Sequence, residues 1–342
     1  IIFDNLLQTL RIVRAVSVDE KTNLKHAYEN AVEHLQHARA MLHAPPRLAE
    51  LDLDVEMQAS ESLPSSSFDK AKFCEAVERA REYIRAGDIY QVVLSQCFSV
   101  PSEGIDPFDV YRAMRMINPS PYNYFLRFPG LRIAGASPET MVRLTDGVVE
   151  VRPIAGTRPR SADIEEDIRI EQELLADPKE LAEHVMLVDL GRNDVGRICR
   201  TGSVELTERM AVERYSHVMH IVSNVRGELS EDRDAIDVLQ ATFPAGTLTG
   251  APKIRAMQII DELEPVRRGI YGGAIGYLSF EGTMDMAIAI RTVVESGGEY
   301  RMQAGAGIVE ASNPEGEYQE TLNKARASLL ALKVASQRRE PG

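Results

Sequence analysis

Cysteine is scarce in this sequence, where only Cys74, Cys97 and Cys199 occur, and tryptophan is absent. The three cysteines lie far apart, so they form neither a disulfide framework nor the clustered ligand pattern of a zinc site. A chain of this kind is expected in a reducing compartment, and we predict a cytoplasmic location.

Long apolar runs and an excess of positive charge are also missing. No stretch approaches the ~20 apolar residues that a membrane-spanning helix needs, and no secretory signal is recognisable at the start. The net charge is −13 at pH 7, which argues against nucleic acids and anionic membranes as main partners. We therefore expect a protein that acts on small molecules or other proteins.

The remaining composition is that of a globular protein with a sizeable core, since 44% of the residues are hydrophobic. A stretch rich in Pro and Ser, residues 45–67, predicts a linker after a helical pattern in residues 1–43. We expect 1–67 to be the remnant of an N-terminal region, 68–335 the main domain and 336–342 a tail. The opening, IIFDNLLQTLR, lacks an initiator Met and resembles the interior of a longer chain.

Segments with strand character follow one another at hairpin-like spacing and are interrupted by helical segments. This arrangement favours an α+β fold, with mixed or antiparallel sheets flanked by helices, over a doubly wound one. Helices are predicted at 1–43, 68–86, 106–116, 163–175, 177–190, 233–242, 253–262 and 314–335. Strands are predicted at 89–100, 122–128, 131–134, 141–144, 148–152, 203–206, 216–228, 272–280, 284–294 and 300–309.

Two pairs of glutamates, each three residues apart, stand near predicted helix starts. They are Glu180 with Glu183, after Asp177-Pro178, and Glu317 with Glu320, after Asn313-Pro314. An isolated pair is usually a solvated acidic edge, but the sequence around the first, AEHVMLVDL, is too apolar for an exposed helix. Because carboxylate oxygens suit hard cations, the two pairs together suggest one cation site.

The stretch TFPAGTLTGAP (242–252) precedes a predicted helix and is rich in glycine and threonine, which suggests backbone amides that face an anion. Arg291 is a cation within an apolar predicted strand, and a buried arginine demands an anionic partner. That partner is either a ligand carboxylate or a structural salt bridge. The glycines of GAGIV (305–309) allow a ligand, or a crossing strand, to approach the backbone.

Three further side chains are ambiguous by themselves. His217 and His220 lie among apolar residues and are most simply buried structural histidines. Glu139 follows a Ser-Pro turn at a predicted strand edge, where a carboxylate often caps backbone amides.

Taken together, these segments resemble one family. The motifs DIYQVVLSQ, NPSPYNYF, GASPE, RPIAGTRPR, DPKELAEHVMLVDLGRND, SHVMHIVS, FPAGTLTGAPK, YGGAIGY, MDMAIAIRT and AGAGIVEASNPEGEYQET occur in order between residues 88 and 326. They are similar to those of chorismate-utilising enzymes, and most closely to the large synthase subunit of anthranilate synthases. The resemblance implies that 68–335 is a chorismate-binding catalytic domain.

The resemblance also implies roles for individual residues. It places Mg²⁺ at the four glutamates, Glu180, Glu183, Glu317 and Glu320. It places substrate carboxylates at Thr247, Tyr271, Arg291, Gly305, Ala306, Gly307 and Lys324. Glu139 corresponds to the general acid for the departing C4 hydroxyl, and His220 to a base beside C2.

Two positions separate members of this family. Isochorismate and salicylate synthases carry a lysine at the position of Gln91, where it activates water, whereas an amide has no basicity for this. Aminodeoxychorismate synthases have PIKGT where this chain has PIAGT with Ala155. Both differences favour anthranilate formation from ammonia. An aminodeoxyisochorismate synthase shares these features and stays an alternative. An aminodeoxychorismate synthase and an idle regulatory or binding subunit on the same fold stay alternatives as well.

The resemblance finally implies partners. Ammonia is expected from a separate glutamine amidotransferase subunit. Tryptophan is expected as a feedback inhibitor of the longer protein, with Asn118, Pro119, Ser120, Pro121 and Tyr122 forming part of its pocket.

Overall fold

The structure of the protein is a computed structural model that describes residues 1–44, 48–54, 64–215 and 218–339. The chain divides into two compact units: Ile1–Glu50 together with the C-terminal end from Arg339, and Leu51–Arg338. The predicted domain limits at residues 67 and 335 stay predictions.

The first unit contains β1 (Ile2–Asp4), β2 (Thr9–Arg11) and α1 (Leu24–His43). The predicted helix over 1–43 is wrong before Leu24, because β1 pairs antiparallel with β2. The Asp4 carboxylate accepts the backbone N–H groups of Leu6 and Leu7, which stabilises the connecting turn. Asn23 then caps α1, with its side chain accepting from the backbone of His26.

The second unit contains α helices and antiparallel strands in alternation. Its strands are β3 (Ser65–Ser66), β4 (Gln91–Pro101), β5 (Tyr122–Phe128), β6 (Leu131–Ser137), β7 (Thr140–Thr145), β8 (Val148–Val151), β9 (Ile154–Pro159), β10 (Glu205–Arg214), β11 (Val218–Glu228), β12 (Gly250–Ala251), β13 (Ala274–Leu278), β14 (Met284–Ile288), β15 (Thr292–Ser296) and β16 (Glu299–Ile308). Its helices are α2 (Lys70–Arg85), α3 (Pro107–Ile117), α4 (Ile164–Ala176), α5 (Pro178–Gly196), α6 (Ala235–Thr242), α7 (Gly246–Thr249), α8 (Lys253–Leu263) and α9 (Pro314–Ser336).

The strands of the second unit form two antiparallel sheets, which confirms the predicted α+β class. The first sheet has the order β10-β11-β8-β7-β14-β13, with β9 also paired to β11. The second has the order β12-β4-β16-β15-β6-β5, with β3 also paired to β4. The chain passes from the second sheet to the first between β6 and β7 and again between β12 and β13. It returns to the second sheet between β11 and β12 and between β14 and β15.

Helices cover both sheets with apolar side chains. α5 packs on β9 and β11 of the first sheet, and α6 on β7. α9 packs on β16, α3 on β6, and α8 on β4 of the second sheet. The core against α3 and α9 includes the buried aromatic residues Phe98 and Tyr300. No helix among the described residues is both long and apolar enough to cross a bilayer.

Two predicted element limits are wrong for physical reasons. The helix predicted at 177–190 continues as α5 to Gly196, because Gly191 is buried inside it and lets the helix approach Val151, which lies 3.0 Å from the position a Cβ would take. Val185 is exposed although it lies in the apolar run AEHVMLVDL, and the buried face carries His184, Leu187 and Gly191. The single strand predicted at 284–294 is two strands, β14 and β15, in different sheets.

Candidate active site

Two of the connections between the sheets, from β6 to β7 and from β14 to β15, run side by side and carry Glu139 and Arg291. The backbone N–H of Ile288 donates to the carbonyl of Glu139 (3.0 Å), and that of Ala136 donates to the carbonyl of Arg291 (3.1 Å). The Ser137 hydroxyl also donates to the Ile288 carbonyl at 2.7 Å. One carboxyl group and one cation are therefore fixed at neighbouring connections by backbone hydrogen bonds that do not involve their own side chains.

Arg291 lies in the bend between β14 and β15, not inside a strand as predicted. Its φ is +50°, a left-handed conformation that is unfavourable for a side chain with a Cβ and that clusters at functional sites. Among the residues that the structure describes, its guanidinium has no hydrogen bond and no ion pair. Burial lowers its pKa, while Tyr271, Glu139 and Glu320 act in the opposite direction. Arg291 is thus a partly enclosed cation whose partner is not within the described chain.

Glu139 is surrounded by enough protein to lose most of its hydration, although its side chain stays partly exposed. This desolvation raises the pKa of its carboxyl to about 7, against the lowering effects of Thr247, Arg291 and Lys324. A small cavity of about 50 Å³ adjoins it and is lined partly by Leu187 of α5. With this pKa, part of the Glu139 population still carries a proton at neutral pH, which a general acid requires.

Thr247 and Tyr271 lie close to these charges. Thr247 belongs to α7, and its buried hydroxyl lies beside Glu139 yet makes no hydrogen bond of good geometry with any described residue. Burial raises the pKa of Tyr271 to about 12, so it stays a neutral hydroxyl donor. Its hydroxyl lies 2.9 Å from the position that a Cβ on Gly305 would occupy. A side chain at Gly305 would thus displace Tyr271, which explains why glycine is needed there.

Gln91 approaches the same place from β4. Its amide is buried and donates to a carboxylate oxygen of Glu183 at 3.1 Å. A Cβ at Gly307 would lie 2.5 Å from the Gln91 amide nitrogen, so a side chain at that point of β16 would push this amide away from Glu183. This contact joins β4 of the second sheet to α5, which packs on the first sheet.

The two predicted acidic pairs lie at the starts of α5 and α9, as their sequences indicated. Asp177 and Asn313 cap these helices through their side chains, each followed by proline at the first helical position. Burial raises the pKa of Glu183, and Glu180 and Glu320 raise it further. Burial likewise raises the pKa of Glu317, with Glu320 adding to the effect. The carboxylates of both helices therefore share one region of negative potential.

Cations of the chain neutralise part of this region. Arg158 donates to Glu180 (2.8 Å) and to Asp177 (2.8 Å), and Lys324 donates to Glu320 (2.6 Å) and to the Gly305 carbonyl (2.9 Å). No three Asp, Glu, His or Cys side chains of the described ranges are gathered closely enough to form a ready-made metal cage.

His220 lies on β11 and its ring faces the β9 backbone. Its Nδ1 is 3.1 Å from the Gly156 carbonyl and 3.0 Å from the Thr157 hydroxyl. Because a carbonyl oxygen only accepts, Nδ1 carries the proton and Nε2 keeps a lone pair. Burial lowers the pKa of His220, which favours this neutral form. His217 lies outside the described residues.

The segment Asn118–Tyr122 is separate from the charges described above. It runs from the end of α3 into β5, and Tyr122 donates to Asp285 at 2.7 Å. Its hydroxyl also lies 2.8 Å from that of Thr140, the residue after Glu139. The structure thus gives this segment a hydrogen-bonded link toward Glu139.

Residues that the sequence analysis did not single out complete the site. Arg158 directly follows the PIAGT segment (153–157) and pairs with Glu180. Arg268 and Glu264 form an ion pair beside Tyr271. Lys253 and Asp194 form another, with both side chains less than 10% exposed. A charged residue in an apolar stretch was the sequence signal available for these ion pairs. It did not reveal the partner, because Lys253 and Asp194 are 59 residues apart.

Comparison with known proteins identifies this arrangement. Residues 2–330 match the family described as chorismate binding enzyme. The chain belongs to that family. Anthranilate synthase component 1 of Acinetobacter calcoaceticus is 53% identical over 98% of this chain and 67% of its own length.

Solved structures agree with this membership. Anthranilate synthase component I from Streptococcus pneumoniae has a TM-score of 0.83 and 44% identity, over 95% of this chain and 71% of that one. The menaquinone-specific isochorismate synthase of Escherichia coli has a TM-score of 0.76 and 26% identity, over 90% of this chain and 69% of that one. The chorismate-binding fold is therefore confirmed, and the relatives include both anthranilate synthases and isochorismate synthases.

Proposed function

We propose that this chain is the synthase component of an anthranilate synthase and converts chorismate and ammonia into anthranilate, pyruvate and water. The observation that carries the proposal is the partly buried guanidinium of Arg291, which lacks a partner in the described chain, beside the Glu139 carboxyl with its raised pKa of about 7. A dianionic substrate supplies the missing anion. The 53% identity to an anthranilate synthase component supports the choice of product.

The two carboxylates of chorismate bind at different places. The enolpyruvyl carboxylate binds Arg291, the Tyr271 hydroxyl and the backbone of Gly305, Ala306 and Gly307. The ring carboxylate binds the unpaired Thr247 hydroxyl and Lys324, whose ammonium lies at the Gly305 carbonyl. An acidic protein needs such local cations, because its overall charge repels a dianion.

The reaction then has two stages. Ammonia forms a bond to C2 while the C4–O bond breaks, and Glu139 donates its proton so that the hydroxyl leaves as water. In the second stage Nε2 of His220 removes the proton from C2, the C3–O bond breaks, and enolpyruvate leaves to become pyruvate on protonation. The neutral tautomer that Gly156 imposes on His220 suits this base role.

We further propose that Glu180, Glu183, Glu317 and Glu320 hold Mg²⁺. Their oxygen donors fit a hard cation, and the mutual repulsion of buried carboxylates is what a cation relieves. Mg²⁺ usually keeps several waters, so few of the four need bind directly. When bound, the ion neutralises the ring carboxylate and draws negative charge away from C2.

Gln91 selects the nucleophile in this proposal. Its amide donates to Glu183 and has no basicity, so the site does not deprotonate water. Ammonia is nucleophilic without that help. Ala155, in β9, replaces the lysine that gives aminodeoxychorismate synthases their covalent intermediate, which leaves ammonia to attack C2.

We propose a glutamine amidotransferase as the source of ammonia and tryptophan as a feedback ligand near Asn118–Tyr122.

A product assay tests this function. With chorismate, Mg²⁺ and ammonium salt, the chain is expected to form fluorescent anthranilate, at a rate that rises with free ammonia. Glutamine alone should not replace ammonium, and no isochorismate or salicylate should form when ammonia is omitted. Accumulation of aminodeoxyisochorismate would identify the chain as an aminodeoxyisochorismate synthase instead. The absence of any turnover would indicate a regulatory subunit.

Glu320→Gln tests the metal proposal. We expect the Mg²⁺ concentration for half-maximal activity to rise by about 10- to 100-fold, because an uncharged amide binds the ion poorly. Glu315→Gln is the control, since Glu315 lies on the same helix but pairs with Lys70 at the surface. Direct Mg²⁺ titration by calorimetry should follow the same order, and equal affinity in both variants would remove Glu320 from the site.

A further inference from the structure

A buried ion pair lies directly behind the residues proposed to bind the enolpyruvyl carboxylate. The Glu264 carboxylate, 3% exposed, accepts from Nε (2.9 Å) and Nη2 (2.6 Å) of Arg268. It also accepts from the backbone N–H (2.8 Å) and the hydroxyl (2.7 Å) of Ser95. One carboxylate therefore binds the segment after α8 to the middle of β4.

The Arg268 guanidinium uses its remaining donors on two carbonyl groups of other segments. Nη1 donates to Leu248 (2.5 Å) and Nη2 to Val93 (2.7 Å). The guanidinium also lies over the Tyr271 ring, 5.6 Å from the centroid. A single planar group thus fixes α7, β4 and Tyr271 relative to one another.

The residues that contact Arg268 and Glu264 are sequence neighbours or strand partners of residues proposed to contact the substrate. Leu248 follows Thr247 in α7. Val93 and Ser95 are the strand partners of Gly307 and Gly305. Arg268 itself is directed at protein acceptors and is not proposed to touch the substrate.

We propose that Arg268, held by Glu264, is a positioning residue that sets the spacing of the carboxylate cradle, which we define as Thr247, Tyr271, Gly305 and Gly307. The inference rests on the proposed function and adds to it a determinant of chorismate affinity. Buried ion pairs contribute little net stability compared with apolar packing, so geometric definition is a better reason for this one. A lysine cannot reproduce it, because the ammonium lacks the planar fork that reaches Glu264 and two carbonyls together.

Arg268→Lys is the test, with Arg112→Lys as the matched control. Arg112 also pairs with a buried carboxylate, Asp109, at 2.7 Å, but on α3. We expect Arg268→Lys to raise the KM for chorismate at least tenfold, with kcat at saturating chorismate reduced less than threefold and the KM for ammonia unchanged. If a variant only loses folded protein, its apparent kcat falls at constant KM. Any effect of Arg112→Lys is expected to follow this second pattern.

Ser95→Ala covers the case in which Arg268→Lys does not fold. It removes one of four hydrogen bonds to Glu264 and should raise the chorismate KM about threefold at unchanged kcat. Unchanged chorismate KM in the folded variants overturns the inference. If the wild-type chain does not turn over chorismate, the proposed function fails separately, and calorimetric chorismate binding by the same variants then tests the positioning role.

Discussion

Replacement of Glu139 by glutamine is expected to lower kcat for anthranilate formation by about 10²- to 10⁴-fold, the usual contribution of a general acid. The amide has the shape of the carboxyl but no proton that it can donate to a departing hydroxyl. Chorismate binding should persist, because Glu139 is not among the proposed carboxylate ligands. Steady-state kinetics at saturating ammonium, with calorimetric binding of chorismate, separates these two effects.

The pH dependence gives a second, independent expectation for Glu139. Its pKa is raised to about 7, so the carboxyl is protonated below that pH and loses its proton above it. At constant free ammonia, kcat/KM should therefore fall as the pH rises through about 7. The Glu139→Gln variant should lack this limb, since its amide does not titrate in the range.

A matched control is available in the same sheet. Glu150 on β8 is partly buried and accepts a hydrogen bond from Asn224 at 2.6 Å. Glu150→Gln should keep both kcat and the alkaline limb. If Glu139→Gln retained activity within tenfold of wild type, or kept the limb, the acid would be another group.

The sequence predicted the elements better than it predicted their junctions. Strong local signals placed β5 at its observed limits and both acidic helices at their proline starts. Gly191 looked like a helix end because the sequence does not reveal that its missing Cβ admits Val151. The run AIAIRTVV looked like one strand because its residues are buried on both sides of a crossing between two sheets.

The site was predicted from motifs, whereas its supporting contacts depend on long-range pairing. Gln91 meets Glu183 across 92 residues, and Arg268 meets Val93 across 175. No local periodicity encodes such pairs, since they arise only when two sheets and three helices are assembled. The left-handed backbone conformation of Arg291 likewise arises where the chain crosses between the sheets. Arg291 was predicted inside a strand but lies in the bend between β14 and β15.

Arg291 is the second position at which a large effect is expected, and it separates binding from stability. Arg291→Lys should raise the KM for chorismate by about 10- to 100-fold, because hydrogen bonds to charged groups contribute about 1.5–3 kcal/mol and an ammonium cannot bind a carboxylate in bidentate fashion. Arg291→Met should weaken binding further. Lysine and methionine carry a Cβ, as arginine does. Neither substitution therefore adds strain at the positive φ of position 291.

The stability of the same variants decides between a ligand-binding and a structural arginine. A structural arginine has an internal partner, and its removal leaves a buried carboxylate unpaired at a cost of about 3–5 kcal/mol. Arg291 has no such partner within the described residues, so Arg291→Met should leave the thermal midpoint unchanged or raise it. Arg132→Lys is the control, since Arg132 pairs with Glu295 on β15 and should change neither KM nor stability measurably. A large fall in the midpoint for Arg291→Met, with unchanged KM for Arg291→Lys, would show that the guanidinium supports the fold and that the chorismate carboxylate binds elsewhere.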